Sequence, residues 1–302
     1  MLTNHRSTSK SPVVCPACGA MTDDVRYLYR IDDRTSDLFR CNNCTMMFAL
    51  PVLLLELDER QMDCVDDAEL FNNAFLKRLH RDLIIKTEIS HVKRLLVKKS
   101  FSLLDIGCGT GWTTNIWSEE GADATGLEPS PKRAAVARER YGLRVIQSFV
   151  EDLECEELFE VIVMRHVLEH FADPYEVLQK VTSHLKPGGL LVIIVPNINC
   201  IGRFVFGTRW TWVLPWHCNF FTPKSLPRIL QRSGLTVEKS YQTPSPLWYP
   251  ESLLSLLPSN AMLIRKAYAR LSMFMFLPFA PLLLIGHLLR MSDNLTVMAR
   301  KP

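Results

Sequence analysis

The chain has 302 residues, enough for one large domain or two smaller ones around a sizeable buried core. Hydrophobic residues make up 47% and charged residues 22%, values that exclude a disordered, collagen-like or low-complexity protein. A net charge of +3, from 35 basic and 32 acidic side chains, does not announce a nucleic-acid binder.

The first ten residues, MLTNHRSTSK, are polar and no apolar stretch follows them, so a cytosolic address is expected. Thiols should stay reduced there, and the nine cysteines then point to metal rather than disulfides. Cys15-Pro-Ala-Cys18 and Cys41-Asn-Asn-Cys44 stand 22 residues apart, close to the spacing of a structural zinc ribbon. Strand-like pieces at Tyr27–Ile31 and Leu38–Arg40 fill the gap. Residues 1–50 are therefore read as a ribbon in which Cys15, Cys18, Cys41 and Cys44 bind Zn(2+), and metal binding contributes to folding because so short a segment buries little surface. Cys64, Cys108, Cys155, Cys200 and Cys218 show no second metal spacing, and most of them read as buried thiols.

Residues 51–100 read as a linker and amphipathic helices, with Leu70, Ala74, Leu79, Leu83, Ile84, Ile89, Val92 and Leu95 at helical spacing. The basic residues between Lys77 and Lys99 form a solvated face, with attraction to a membrane surface as the alternative. From 101 to 249 short apolar strands alternate with helical patterns, which predicts a doubly wound, mostly parallel α/β sheet. Strands are expected at Ser102–Ile106, Ala124–Glu128, Arg144–Gln147, Val161–Met164, Leu190–Val195 and Leu235–Tyr241, and a closing strand at Asn294–Arg300 within residues 292–302. Pro174 suits the first turn of a helix whose apolar face is Val177, Leu178, Val181 and Leu185, and Pro187-Gly188-Gly189 is read as its stop.

The segment Leu103-Leu-Asp-Ile-Gly-Cys-Gly-Thr-Gly111 runs from a strand into a glycine turn and then a helix from Trp112 to Glu120. Glycines let a ligand approach the backbone and expose amides at a helix N-terminus. The next strand ends in Glu128, an acid placed to accept hydrogen bonds from a ribose diol, and the turn lacks the G-x-G-x-x-G spacing of a pyrophosphate site. With Asp105, Gly107, Gly109 and Gly111 in a D-x-G-x-G-x-G pattern, Val167-Leu-Glu-His170 after the fourth strand and Leu185-Lys-Pro-Gly-Gly-Leu190 before the fifth, residues 101–242 resemble the class I, seven-strand S-adenosylmethionine-dependent methyltransferases. The resemblance implies a Rossmann-like seven-stranded sheet and cofactor contacts from Asp105, Gly107, Cys108, Gly109, Gly111, Glu128, Pro129, Phe149, Val150 and Arg165. Two positions depart from the family pattern. Ser148-Phe-Val150 stands where an Asp often meets adenine, and Glu160 replaces an Asp.

The resemblance also implies methyl transfer to a nucleophile, for which alignment and exclusion of water are the protein's main tasks. A hydroxyl acceptor needs a base, and His166, His170 and His217 are the candidates; the alternative is that they order loops. Trp210-Thr-Trp-Val-Leu-Pro-Trp-His217 supplies aromatic side chains for an acceptor pocket or for plain packing.

Residues 250–291 read as an apolar helical insertion before the last strand. From Leu271 to Leu289 there is no Asp, Glu, Lys or Arg, but Pro278, Pro281 and Gly286 interrupt the run, and a single crossing would strand the closing strand on the wrong side. An interfacial segment is expected, with Phe274, Phe276 and Phe279 at the lipid boundary and Arg265, Lys266, Arg270 and Arg290 toward anionic headgroups; a pocket lid or a dimer contact are the alternatives. The chain is thus expected to methylate a small-molecule or lipid-linked acceptor, on oxygen, in the manner of quinone and glycan enzymes. An RNA base methyltransferase and a non-catalytic cofactor-binding scaffold are the other readings. Near-neutral charge and an apolar insertion count against RNA.

Overall fold

The computed structural model describes residues 2–7, 11–31, 34–52, 74–214, 216–245, 248–254 and 277–302. Cys64, the helical stretch before residue 74, and Arg265, Lys266, Arg270, Phe274 and Phe276 of the apolar insertion lie outside the described residues.

Six strands build the N-terminal part: β1 (Leu2–Ser7), β2 (Val13–Val14), β3 (Met21–Thr22), β4 (Val25–Ile31), β5 (Arg34–Arg40) and β6 (Met47–Leu50). The two cysteine pairs sit in matching turns. In the first, Gly19 N–H donates to Cys15 O at 2.9 Å and Cys15 N–H to Ala20 O at 2.9 Å; in the second, Thr45 N–H donates to Cys41 O at 2.9 Å and Cys41 N–H to Met46 O at 2.8 Å. The strands β1-β4-β5-β6 continue into β12 (Asn219–Phe220), a strand that arrives from far along the chain.

Next, α1 (Ala74–His80) and α2 (Lys86–Leu96) are joined by a π-helical turn at Arg81–Ile85. The core then runs β7 (Phe101–Ile106), α3 (Trp112–Glu119), β8 (Ala122–Leu127), α4 (Pro131–Tyr141), β9 (Arg144–Ile146), β10 (Phe159–Arg165), α5 (Pro174–Ser183), β11 (Leu185–Pro196), α6 (Ile201–Phe206), α7 (Ser225–Arg232), β13 (Thr236–Thr243), α8 (Trp248–Leu254), α9 (Ala280–Leu288) and β14 (Asn294–Arg300). All seven expected strands form one sheet in the order β13-β14-β11-β10-β7-β8-β9. Only β14 is antiparallel to its neighbours. The strand order reverses between β7 and β10, so the ligand crevice of such a sheet lies beyond their carboxyl ends.

Burial on both faces explains the nearly continuous apolar runs. Leu104, Ile106, Ile162, Met164, Leu191, Ile193 and Val297 face α5, α7 and the ribbon's Phe39, Met46 and Phe48. The alternate residues Leu103, Val161, Val163, Leu190, Val192 and Met298 face α2 and α3, where Ile85, Ile89, Val92, Ile116 and Trp117 meet them. Each fully buried aliphatic side chain contributes about 1.5–3 kcal/mol, so the ribbon and α2 are integral to the two cores.

One expectation needs correction. The helix α5 ends at Ser183, where the N–H of His184 turns back to Thr182 O and Val181 O, and not at Pro187-Gly188-Gly189. Those three residues form a bulge inside β11: Phe159 pairs with Leu185 but Val161 with Leu190. Gly188 adopts φ +75°, and a Cβ on Gly189 would stand 2.8 Å from Lys186 O, so glycine here permits a fold-back in a strand rather than a helix stop.

Candidate active site

The turn from β7 to α3 is built from local necessities. Gly107, Gly109 and Gly111 take φ of +72°, +57° and +83°. A Cβ on Gly111 would meet Ala137 Cβ and Leu143 Cδ1, each at 2.8 Å, because α4 packs against the turn. Gly111→Ala is accordingly expected to lose about 2–4 kcal/mol of stability in chemical denaturation, from overpacking added to left-handed strain. The turn's amides are ordered by the neighbouring strand: Gly107 and Cys108 N–H donate to Leu127 O at 2.8 and 3.1 Å.

Glu128 sits just beyond β8, 3% exposed. Its carboxylate accepts from Gly109 N–H at 2.9 Å and from Ser130 N–H at 3.0 Å. Asp105 is turned the other way and accepts from Thr114 Oγ1 at 2.6 Å and Thr113 Oγ1 at 3.4 Å, which pins the start of α3. Burial pushes the Asp105 carboxyl up to about 6, against the opposing Thr114 bond. Cys108 is packed against Gly126, where a Cβ would stand 2.5 Å from its Sγ. Beyond β9, Val150 is buried in the core while Phe149 is exposed at the rim. A buried carboxylate fixed by the amide of Gly109, in a turn where three of five residues lack a Cβ, fits the adenosyl group that the sequence resemblance implies.

The loop after β10 packs directly on this turn, since Val167 Cγ2 would lie 2.5 Å from a Cβ on Gly107. His166 takes a left-handed φ of +55° and donates its N–H to Ile194 O at 2.8 Å. Non-glycine residues held there mark positions that the surroundings enforce. Its ring stacks on Trp212, with centroids 4.7 Å apart, and its Nδ1 lies 3.5 Å from Glu169 Oε1.

Glu169 is fully buried, and neither of its oxygens carries a conventional hydrogen bond among the described residues. Burial alone would push its carboxyl up, but His166, His170 and His217 around it bring it below the usual value. His170 Nδ1 lies 3.2 Å from Trp216 O, and His217 Nδ1 lies 2.9 Å from Trp212 O. A carbonyl only accepts, so both Nδ1 atoms carry a proton, and in neutral His217 the lone pair is left on Nε2. The two rings meet edge to face at 4.8 Å. Burial first, then His170, pushes His217 down to about 3. Ligand atoms of Glu169, His170 and His217 lie within 4.8 Å of one another, an arrangement able to share a proton or hold a cation.

Arg165, at the end of β10, pairs with Glu88 of α2, which is 1% exposed. Burial raises the Glu88 carboxyl, opposed by Arg165. Sequence reading missed Glu88, although an acid set into the apolar stripe Ile85, Ile89 and Val92 was the available signal. Glu169 stood inside a recognised motif but was not singled out; Trp212 was read only as one of several pocket aromatics.

The four ribbon cysteines converge. Cys15 Sγ lies 3.5 Å from Cys44 Sγ, and Cys18 Sγ 3.5 Å from Cys41 Sγ, with all four sulfurs within 4.8 Å of one another. A tetrahedral thiolate site with metal–sulfur bonds of about 2.3 Å fits this set.

Comparison with known proteins agrees with this geometry. The profile of the methyltransferase domain family matches residues 75–240. The chain is 32% identical over 178 residues to the ubiquinone biosynthesis O-methyltransferase of Nitrobacter winogradskyi, covering 55% of this chain and 68% of that protein. It is 34% identical over 148 residues to that of Cereibacter sphaeroides, covering 44% and 59%, and 31% identical over 180 residues to the mitochondrial one of Homo sapiens, covering 52% and 47%. The chain spans about two thirds of the length of the first relative and less of the other two. Among solved structures, coclaurine N-methyltransferase bound to N-methylheliamine and SAH is similar with a TM-score of 0.51 and 13% identity, covering 73% of this chain and 72% of that one. The plantazolicin methyltransferase in complex with SAH gives 0.50 and 18%, covering 80% and 93%; at such identities the likeness shows the fold alone. A profile match over more than half of the chain, on a seven-strand sheet with this glycine turn, shows that the protein belongs to the methyltransferase domain family, in its class I, S-adenosylmethionine-dependent form.

Proposed function

We propose that the chain methylates an oxygen of a small, lipid-linked, quinone-type ring, with His217 as the base. The observation that carries this reading is the Glu169–His170–His217 cluster, with Glu169 and His217 buried and His170 half-buried, reached from a loop whose Val167 packs on the glycine turn. The relatives named for O-methylation in ubiquinone biosynthesis support the acceptor class. S-adenosylmethionine, when bound, supplies a methyl group already activated on sulfonium. The chain's residues do the remainder: Glu128 and the glycine turn hold the adenosyl end, Trp212 shields the site from water, His217 Nε2 takes the hydroxyl proton, and Glu169 stabilises the resulting imidazolium. The ribbon cysteines hold a structural zinc ion in this reading.

Peripheral membrane contact belongs to the same proposal. No helix among the described residues is long and apolar enough to cross a membrane. The packed pair α6 and α9 nevertheless exposes Phe204, Val205, Leu284, Ile285, Leu288 and Leu289, flanked by Arg203 and Arg290. An apolar patch with basic edges suits an anionic lipid surface that delivers a tailed acceptor. Incubation with methyl-labelled cofactor is expected to label a hydroquinone-type phenol bearing an apolar tail and to leave total RNA unlabelled; label on RNA alone overturns the reading. Anionic vesicles should raise the rate severalfold, and the double variant Leu284→Glu, Leu288→Glu should abolish that increase.

A further inference from the structure

The segment Trp212–Phe221 carries His217 and has little strand structure to hold it. Its β12 is two residues long and belongs to the ribbon's sheet, not to the seven-stranded one. Asn219 pairs with Phe48 and Phe220 with Met47, and Ala49 N–H donates to Cys218 O at 2.9 Å. From the same stretch, Cys218 N–H donates to Glu169 O at 2.9 Å and Asn219 Nδ2 to Phe171 O at 2.6 Å. The ribbon and the histidine loop are thus tied to opposite sides of one short segment.

The tie begins at the second cysteine turn. Thr222, fully buried, donates its Oγ1 proton toward Cys44 O at 3.2 Å, and its Oγ1 lies 3.0 Å from Thr45 Oγ1. Thr45 adopts φ +64°, a conformation disfavoured for a β-branched residue, whereas the equivalent place in the first turn is Gly19 at φ +72°. Glycine would suit the backbone better at Thr45 but would lack the hydroxyl that meets Thr222. Strain kept for the sake of one contact marks that contact as consequential.

We infer that the ribbon is a positioning module for the acceptor-side wall, with Thr45 and Thr222 passing the geometry of the cysteine site to His217. This rests on the reading of His217 as the acceptor-side base. The test uses the full-length, zinc-loaded protein with Thr45→Gly, Thr222→Val and Thr222→Ser. Thr222 Oγ1 also accepts the N–H of Ser225 at 3.1 Å, so Thr222→Val disturbs the start of α7, and Thr45→Gly, which relieves strain, is the cleaner variant.

Amide hydrogen exchange across residues 212–221 is expected to quicken at least tenfold in Thr45→Gly and Thr222→Val, and on removal of the metal with a chelator, while exchange in α3 and β8 stays unchanged; Thr222→Ser restores protection. For the tailed phenol, KM should rise about fivefold with cofactor Kd within twofold. Unchanged exchange at 212–221, or equal quickening in α3 and β8, overturns the inference. Exchange needs no acceptor, so it still decides the matter if the phenol proves not to be methylated.

Discussion

His217→Ala is expected to lower kcat for the phenol about 10²- to 10³-fold while leaving cofactor Kd within about twofold, the size of effect that loss of a positioned base produces. The tautomer is fixed by the contact of Nδ1 with Trp212 O, so Nε2 is the only ring atom able to take a proton. Because burial holds this imidazole down to about 3, it stays neutral far below the ordinary value near 6.5. Protonation would silence the base only as pH falls through its own pKa, so kcat should be level from about pH 8 to about pH 5, where an ordinary imidazole would already have lost most of its activity. So depressed a pKa makes a weak base, and the buried Glu169 carboxylate opposes the depression, so that without it the imidazolium would be harder still to form. Glu169→Gln keeps the shape, removes the charge and should cost about tenfold or more in kcat. Steady-state kinetics across pH on both variants checks this. Unchanged kcat in His217→Ala would move the role to the more exposed His170.

The seven strands were legible because a sheet buried on both faces writes itself as apolar runs such as Leu190–Val195, and because each run is bounded by helical spacing. The glycine turn and its acid were legible for a related reason: the glycines and Glu128 stand at the ends of successive strands and meet through Gly109 N–H, whereas Asp105 turns to Thr114 instead. The histidine cluster was only half legible. His170 and His217 could be named, yet their meeting depends on β12 joining β6, and a two-residue strand has no periodicity to read. Glu88 was hidden in an amphipathic pattern, where one acid among Ile85, Ile89 and Val92 does not disturb the helical signal but does mark a buried partner, Arg165. Pro187-Gly188-Gly189 misled because the same residues that stop a helix also build a bulge; only the register of Phe159 and Val161 against β11 tells them apart.

Glu128→Ala should weaken cofactor binding about 100-fold or more, the largest loss expected on that side of the site. Hydrogen bonds to a charged group are worth about 1.5–3 kcal/mol each, and two such bonds from a ribose diol therefore account for two powers of ten in Kd. The carboxylate is already oriented by Gly109 and Ser130 N–H, so little ordering is left for binding to supply. The same two amides would lose their acceptor in Glu128→Ala, which lowers stability by about 1–3 kcal/mol and calls for calorimetry well below the melting transition. Glu128→Asp keeps the charge but falls short by one methylene and should be intermediate. Glu128→Gln should also be intermediate, because its amide offers one acceptor where the carboxylate offers two. His217→Ala provides the contrast, since it spares Kd and removes kcat. Should Glu128→Ala bind the cofactor as tightly as the unaltered protein, the glycine turn beyond β7 would not be where the adenosyl group lies.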